Sequence, residues 1–238
     1  MSIFVPLSAG IIPFTLKAGN FKRILFMMHI AILASGNGTN AENLIKYFNN
    51  VDENGNPVHE SGGSGSGGSI AKIGLVISNI PTAGVLQRAS RLKVKYLMLD
   101  KEQLCSEENP DVIKYLKHNN INFIVLAGYL LQVPKALINM YPDRIVNIHP
   151  ALLPKFGGKG MYGAHVHKAV IEAHEQESGI TVHLVDEQMD HGKILFQAKC
   201  PVTPEDTPET LAAKIHVLEQ ANFPQAVERY IRERFPNQ

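Results

Sequence analysis

HIAILASGNGTN, residues 29–40, is the stretch on which the fold turns. His29 to Ala34 is an almost unbroken apolar run of strand length, and Ser35, Gly36, Asn37 and Gly38 follow it with turn chemistry. From about Asn40 to Phe48 the apolar positions recur at a helical period. Strand, glycine turn and helix in that order form the opening unit of a parallel α/β sheet, because only a strand buried on both faces is apolar along its whole length.

Outward from this unit the alternation repeats. Ile73 to Ser78, Tyr96 to Leu99, Phe123 to Ala127, Ile145 to Ile148, Thr181 to Val185 and Ile194 to Ala198 have strand patterns. Helices are predicted over Ala83 to Leu92, from Pro110 through His118, over Pro134 to Met140 and Ala164 to His174, and from Pro208 onward. The expected fold is a doubly wound, mostly parallel α/β sheet with helices on both faces, Rossmann-like, with ligands at the carboxyl ends of the strands.

The chain has 238 residues, 45% of them hydrophobic and 19% charged, which suits one large α/β domain with a substantial core. That domain is expected over 28–238. Residues 1–27 carry Pro6 and Pro13, place their basic residues after the apolar part and offer no small-residue cleavage site, so they make a poor signal peptide. With Met27 and Met28 directly before the first strand, 1–27 is expected to be an N-terminal extension. The run VDENGNPVHESGGSGSGGS, 51–69, is expected to be a flexible insertion away from the strand ends. A formal net charge of +1 excludes a function resting on neutralising many nucleic-acid phosphates. Cys105 and Cys200 match no metal or redox spacing, and no run of about 18 apolar residues exists to span a membrane. A cytoplasmic protein, monomer or homodimer, with small-molecule substrates and no nucleic-acid or membrane partner is the expectation.

Three places carry chemistry. Gly38, Thr39 and Asn40 close the first strand–helix turn, where glycine lets the backbone approach an anion and the free N–H groups of a helix start receive its charge. The same run fits G-x-G-x-x-A, but the acid that would bind a dinucleotide ribose is missing: the next strand ends in Ser78 and Asn79. A simple capped glycine turn is the plain alternative. Asn147 and His149 stand two apart near the end of an apolar strand, hence on one face, where one can donate a hydrogen bond and the other shuttle a proton. Asp190, in the loop after the strand Gly179 to Val185, has the chemistry to orient an imidazole, raise its pKa or place a water. His165, His167 and His183 invite a metal reading, but the first two, set two apart, fall at a helix start, and no metal site is predicted. Glu219 on the C-terminal helix is a further candidate contact.

Taken together, SGNGTN, LAGYL (Leu126 to Leu130), NIHPALLPKFGG (Asn147 to Gly158) and VDEQMDHG (Val185 to Gly192) resemble the phosphoribosylglycinamide formyltransferase family of purine synthesis. The likeness runs from about Met28 to Ile231, the Gly/Ser run excepted. The N-I-H-P-x-L-L-P piece and the later Asp-x-Gly are shared with other folate-dependent formyltransferases and with formyltetrahydrofolate hydrolase, while the phosphate turn and Glu219 favour the ribonucleotide enzyme. The resemblance implies that Gly38, Thr39, Asn40 and Glu219 hold the ribonucleotide. It also implies that Leu130, Leu131, Gln132, Val133, Asn147 and Lys101 contact the folate, and that Asn147, His149 and Asp190 are catalytic. The implied co-substrate is 10-formyltetrahydrofolate, and no metal is called for. The family often has an arginine at the place of Leu131. In this scheme Asn147 and His149 both donate to the oxygen that turns negative. The competing functions are another folate-dependent formyltransferase or hydrolase, and a non-catalytic folate- or nucleotide-binding protein.

Overall fold

The computed structural model describes residues 27–58, 70–106 and 111–236. Most of the expected 1–27 extension, the Gly/Ser part of the insertion and Pro110 lie outside them. The elements alternate as the pattern predicts: β1 (Met28–Leu33), α1 (Thr39–Asn49), β2 (Ala71–Ser78), α2 (Gly84–Arg91), β3 (Lys95–Met98), α3 (Lys101–Cys105), α4 (Val112–His118), β4 (Phe123–Leu126), α5 (Lys135–Met140), β5 (Ile145–His149), α6 (Ala164–Glu172), β6 (Glu177–Leu184), β7 (Ile194–Pro201) and α7 (Pro208–Arg234).

The strands form one sheet in the order β3-β2-β1-β4-β5-β6-β7. β1 to β5 are parallel, and β6 and β7 are each antiparallel to the strand before them. Alternation of side chains along β1 sends Ile30 and Ile32 into a core shared with α1, α2, α6 and α7, and Ala31 and Leu33 into a core shared with α3, α4 and α5. The two cores explain why β1, β2 and β4 read as continuous apolar runs.

The strand order reverses between β1 and β4, and there the loops leaving the sheet diverge to open a crevice. Ser35 fixes its floor: its N–H donates to the Gly128 carbonyl at 2.9 Å and its hydroxyl accepts the Leu130 N–H at 3.0 Å. Helix α7 closes one side, packing on α1, α6, β6 and β7. It starts at a capping box between Thr207 and Thr210 with Pro208 in its first turn, an arrangement that satisfies orphan N–H groups.

The sequence reading differs from the structure in three places. α3 is an unpredicted short helix, begun by a reciprocal Asp100–Gln103 capping box. β6 begins at Glu177 and β7 runs to Pro201, because each satisfies the other's ladder beyond the apolar stretch. Residues 51–58, expected to be flexible, are folded: the Asp52 carboxylate accepts the N–H groups of Asn54 and Asn56 at 2.8 and 2.9 Å, and Val51 bridges to Pro57.

Candidate active site

A cleft of about 400 Å³ opens at the reversal point. On one side is the glycine turn before α1. Gly38 is its N-cap with φ 83°, and a Cβ there would lie 2.6 Å from Val85, so both conformation and space require glycine. The turn is braced from behind. Arg88 donates to the Asn37 carbonyl at 2.8 Å and to its side-chain oxygen at 3.1 Å, and also pairs with Glu42, which binds Lys46 and Arg91 as well. Burial raises the Glu42 pKa, yet the hydrogen bonds from Lys46 and Arg88 overcome it and hold the carboxyl below its usual range. Gly38 brings no side-chain cap, so the α1 N-terminus, with the partial positive charge of a helix start, stands in the cleft wall.

Asn40 connects this wall to α7. Its amide donates to Glu219 Oε2 at 2.9 Å and accepts from Gln220 Nε2 at 2.9 Å, and Glu219 also lies 3.6 Å from His216 Nδ1. Burial raises the Glu219 pKa, against the opposing pull of Asn40 and His216.

Across the cleft, β5 delivers Asn147 and His149, and the loop between β6 and β7 delivers Asp190, which stands at φ 58°. The carboxylate of Asp190 is central: Oδ2 lies 3.5 Å from His149 Nδ1 and accepts the Gly158 N–H at 2.9 Å, while Oδ1 lies 3.4 Å from Asn147 Nδ2 and 3.5 Å from His183 Nε2. Burial raises the Asp190 pKa, but His183, His149 and the Gly158 N–H together keep it below the usual carboxylate value. His149 Nε2 donates to the Phe156 carbonyl at 2.7 Å. Asp190 does raise the His149 pKa as the sequence reading expects, yet burial is stronger, and the net direction is down.

Asn147 Nδ2 lies 3.1 Å from His183 Nε2 and 3.4 Å from Asp190 Oδ1, so the amide is held within the His149, His183 and Asp190 cluster. His183 is also a site residue for which the sequence reading offered only a metal-ligand role. Its signal is pairing register: β6 sets His183 directly opposite Asn147.

Leu130, Leu131, Gln132 and Val133 line the third wall, and the loop Val185 to Met189 faces it. The sequence reading took only Asp190 from that loop as a site residue, whereas Val185 to Met189 line the cleft as well. Lys101 does not line the cleft; it is the exposed first residue of α3, beyond the turn at Asp100. Every other predicted site residue lines this one cleft. His165 and His167 fall on α6, the first exposed and the second buried, and among the described residues no cluster of three metal-ligating side chains occurs. Among them, too, no helix is long and apolar enough to cross a membrane.

A doubly wound sheet with a glycine turn at a helix start and an imidazole–carboxylate–amide cluster at its reversal point has the layout of a group-transfer enzyme. Residues 28–227 match the family model described as formyl transferase, and the chain belongs to that family. Within it, the chain is 34% identical to the phosphoribosylglycinamide formyltransferase of Haemophilus influenzae, over 87% of this chain and 89% of that protein. It is 35% identical to the chloroplastic phosphoribosylglycinamide formyltransferase of Arabidopsis thaliana, over 78% of this chain, but spans 59% of that protein's length. The crystal structure of phosphoribosylglycinamide formyltransferase from Bacillus halodurans superimposes with a TM-score of 0.71 at 35% identity, over 85% of this chain and 95% of that one.

Proposed function

We propose that the protein transfers the formyl group of 10-formyltetrahydrofolate to the amine of 5'-phosphoribosylglycinamide. One observation supports this above all: a single cleft joins a helix-end anion cradle at Gly38, Thr39 and Asn40 to the Asn147, His149 and Asp190 cluster. The ribonucleotide phosphate takes the α1 N-terminus, with Glu219 toward its ribose or glycinamide part. The folate lies along Leu130, Leu131, Gln132 and Val133, opposite the loop that ends in Asp190. Leu131 packs on the second core, so this segment serves through its backbone and apolar surface where relatives often offer a guanidinium.

The amine lone pair attacks the formyl carbon, the carbonyl oxygen becomes negative, the bond from carbon to the folate nitrogen breaks, and one amine proton passes to that nitrogen. His149 is anchored by the Phe156 carbonyl through Nε2–H, leaving Nδ1 between Asp190 and the cleft. Protonated at Nδ1, it donates to the developing oxyanion with Asp190 as countercharge. A donor aimed at such an oxygen contributes about 10²- to 10³-fold in rate. Holding the neutral amine beside the formyl carbon supplies much of the remainder. The proposal extends to a cytoplasmic setting, in keeping with a sequence whose two cysteines, Cys105 and Cys200, suggest no disulfide scaffold.

The test follows folate release from 10-formyltetrahydrofolate, with and without glycinamide ribonucleotide, in the wild type and in His149→Ala. Release that requires the ribonucleotide and is lost in the variant is expected. Equal release without acceptor would make the protein a hydrolase, and no turnover by folded protein would make it a binding module.

A further inference from the structure

We infer that Gln197, at the outer edge of the sheet, is a positioning residue for His149: with Thr181 it holds the segment whose Phe156 carbonyl receives the imidazole. This inference rests on the formyl-transfer reading above. The three residues form one row. Pairing register sets His149 on β5 opposite Thr181 on β6, and Thr181 opposite Gln197 on β7. Their neighbours Ile148, Val182 and Phe196 turn to the first core, so alternation sends the row to the opposite face of the sheet. There the Thr181 hydroxyl donates to the Ala151 carbonyl at 2.7 Å and accepts the Leu153 N–H at 3.0 Å and the Gln197 amide at 2.9 Å. Its one proton and two lone pairs are all in use. The Gln197 amide also donates to the Leu153 carbonyl at 3.0 Å. A flipped amide would set its oxygen against that carbonyl and against a hydroxyl whose proton is committed to Ala151, so the two donors are fixed.

Leu153 is thus gripped at its N–H and at its carbonyl, three residues before Phe156. Its side chain packs so closely on Gly157 that a Cβ there would stand 2.5 Å from Leu153 Cδ2, and 3.2 Å from Asp190 Cβ. The residues on either side of Gly157 hold the reacting cluster: the Phe156 carbonyl accepts from His149 Nε2 at 2.7 Å, and the Gly158 N–H donates to Asp190 Oδ2 at 2.9 Å. A shift of Leu153 therefore moves the acceptor of His149 and a donor to its carboxylate partner together. Thr181 is fully buried, whereas Gln197 stands on an exposed edge strand with its amide turned inward, so its donors can be removed without opening the core. Misplacing a reacting group by about 1 Å costs up to about 10²-fold in rate. That loss falls on the chemical step rather than on binding, because neither Thr181 nor Gln197 lines the cleft.

The test compares the full-length protein with Gln197→Met, which keeps the length of the side chain and removes its N–H groups, and with Gln197→Glu, which keeps its shape and leaves only acceptors. Long-range ¹H–¹⁵N NMR on the free proteins follows the His149 Nε2 proton, assigned with His149→Gln, and its exchange with water. Folate release with the ribonucleotide present gives kcat and both KM values. In the wild type the Nε2 proton is expected to be present and protected. In both Gln197 variants its exchange should quicken at least about 10-fold, and kcat should fall about 10- to 10²-fold with both KM values little changed. Lys199→Met, which breaks the 2.9 Å ion pair to Glu177 on the same edge strand, should alter neither readout. A wild-type ring without a proton on Nε2 would overturn the inference, as would Gln197 variants with wild-type exchange or kcat, a rise in KM alone, or an equal loss in Lys199→Met. If the wild type does not formylate the ribonucleotide, the formyl-transfer reading fails, and proton exchange in the free variants still decides whether Gln197 holds the ring.

Discussion

Asn40 and Glu219 are 179 positions apart and are joined by a 2.9 Å hydrogen bond that ties the first turn of α1 to the middle of α7. The bond makes the Gly38 turn and the C-terminal helix one wall, so under the proposed function ribonucleotide affinity should depend on both. Asn40→Ala removes the link and strands a buried carboxylate. A hydrogen bond to a charged group contributes about 1.5–3 kcal/mol, equivalent to roughly 10- to 150-fold in KM for the ribonucleotide. Glu219→Gln, which keeps an acceptor in place, should raise KM far less. Steady-state kinetics with the ribonucleotide varied checks both, and equal KM values in wild type and Asn40→Ala would detach the cradle from the phosphate.

His149→Ala should leave the fold and the binding of both substrates in place and lower kcat by about 10²- to 10⁴-fold, the usual range for a positioned acid–base group. Its ring is buried, so His149→Gln, closer in volume, separates lost chemistry from lost packing. If kcat in both variants matches the wild type, the imidazole is not in the reaction.

What the sequence made legible was local. The Gly38 turn, the Asn147–His149 pair and Asp190 each announce themselves within a few residues, by turn chemistry or by two-residue spacing at a strand end. His183 has no such signal: it sits among Thr181, Val182 and Leu184 in a run that reads as core strand. Its role arises only when antiparallel β6 pairs it with Asn147. The surroundings of the Asn147 amide are invisible in the local sequence for the same reason, since its polar neighbours lie 36 and 43 positions away. Lys101 was placed where no motif fixed the alignment, and the Asp100–Gln103 box turns that segment into a short helix away from the cleft. The Asp52 turn was hidden by the composition of the longer run around it.

Gly38→Ala should weaken stability and binding together. A side chain at φ 83° costs about 1–2 kcal/mol, and its Cβ would meet the backbone and Cβ of Val85, so α1 must shift as well. For a domain of this size each kcal/mol lowers Tm by about 2–4 °C. Calorimetry and the ribonucleotide KM should therefore move in parallel. A variant with unchanged Tm would show that the turn has room the geometry denies.

Stability should decline as the solution is made mildly acid, and two histidines set the window. Burial lowers the pKa of His149 and of His167 below 6.5, the second reinforced by the nearby His149, and His167 Nδ1 is buried with no hydrogen-bond partner among the described residues. A base whose folded value is depressed binds its proton more readily unfolded, so unfolding gains free energy as pH falls below 6.5 toward the folded values. Asp190, held below 3.8, acts in the same direction but only in stronger acid, as pH falls through its folded value. Glu219 acts in the opposite sense: its value is raised above 4.5, so its contribution is present below that pH and is lost as pH rises through the folded value. Thermal melts between pH 7.5 and 5 should show Tm falling once pH passes below about 6.5, with a shallower fall in His167→Gln and a steeper one in Glu219→Gln. A Tm that stays flat over this range in the wild type would mean that both rings accept their protons without unfolding.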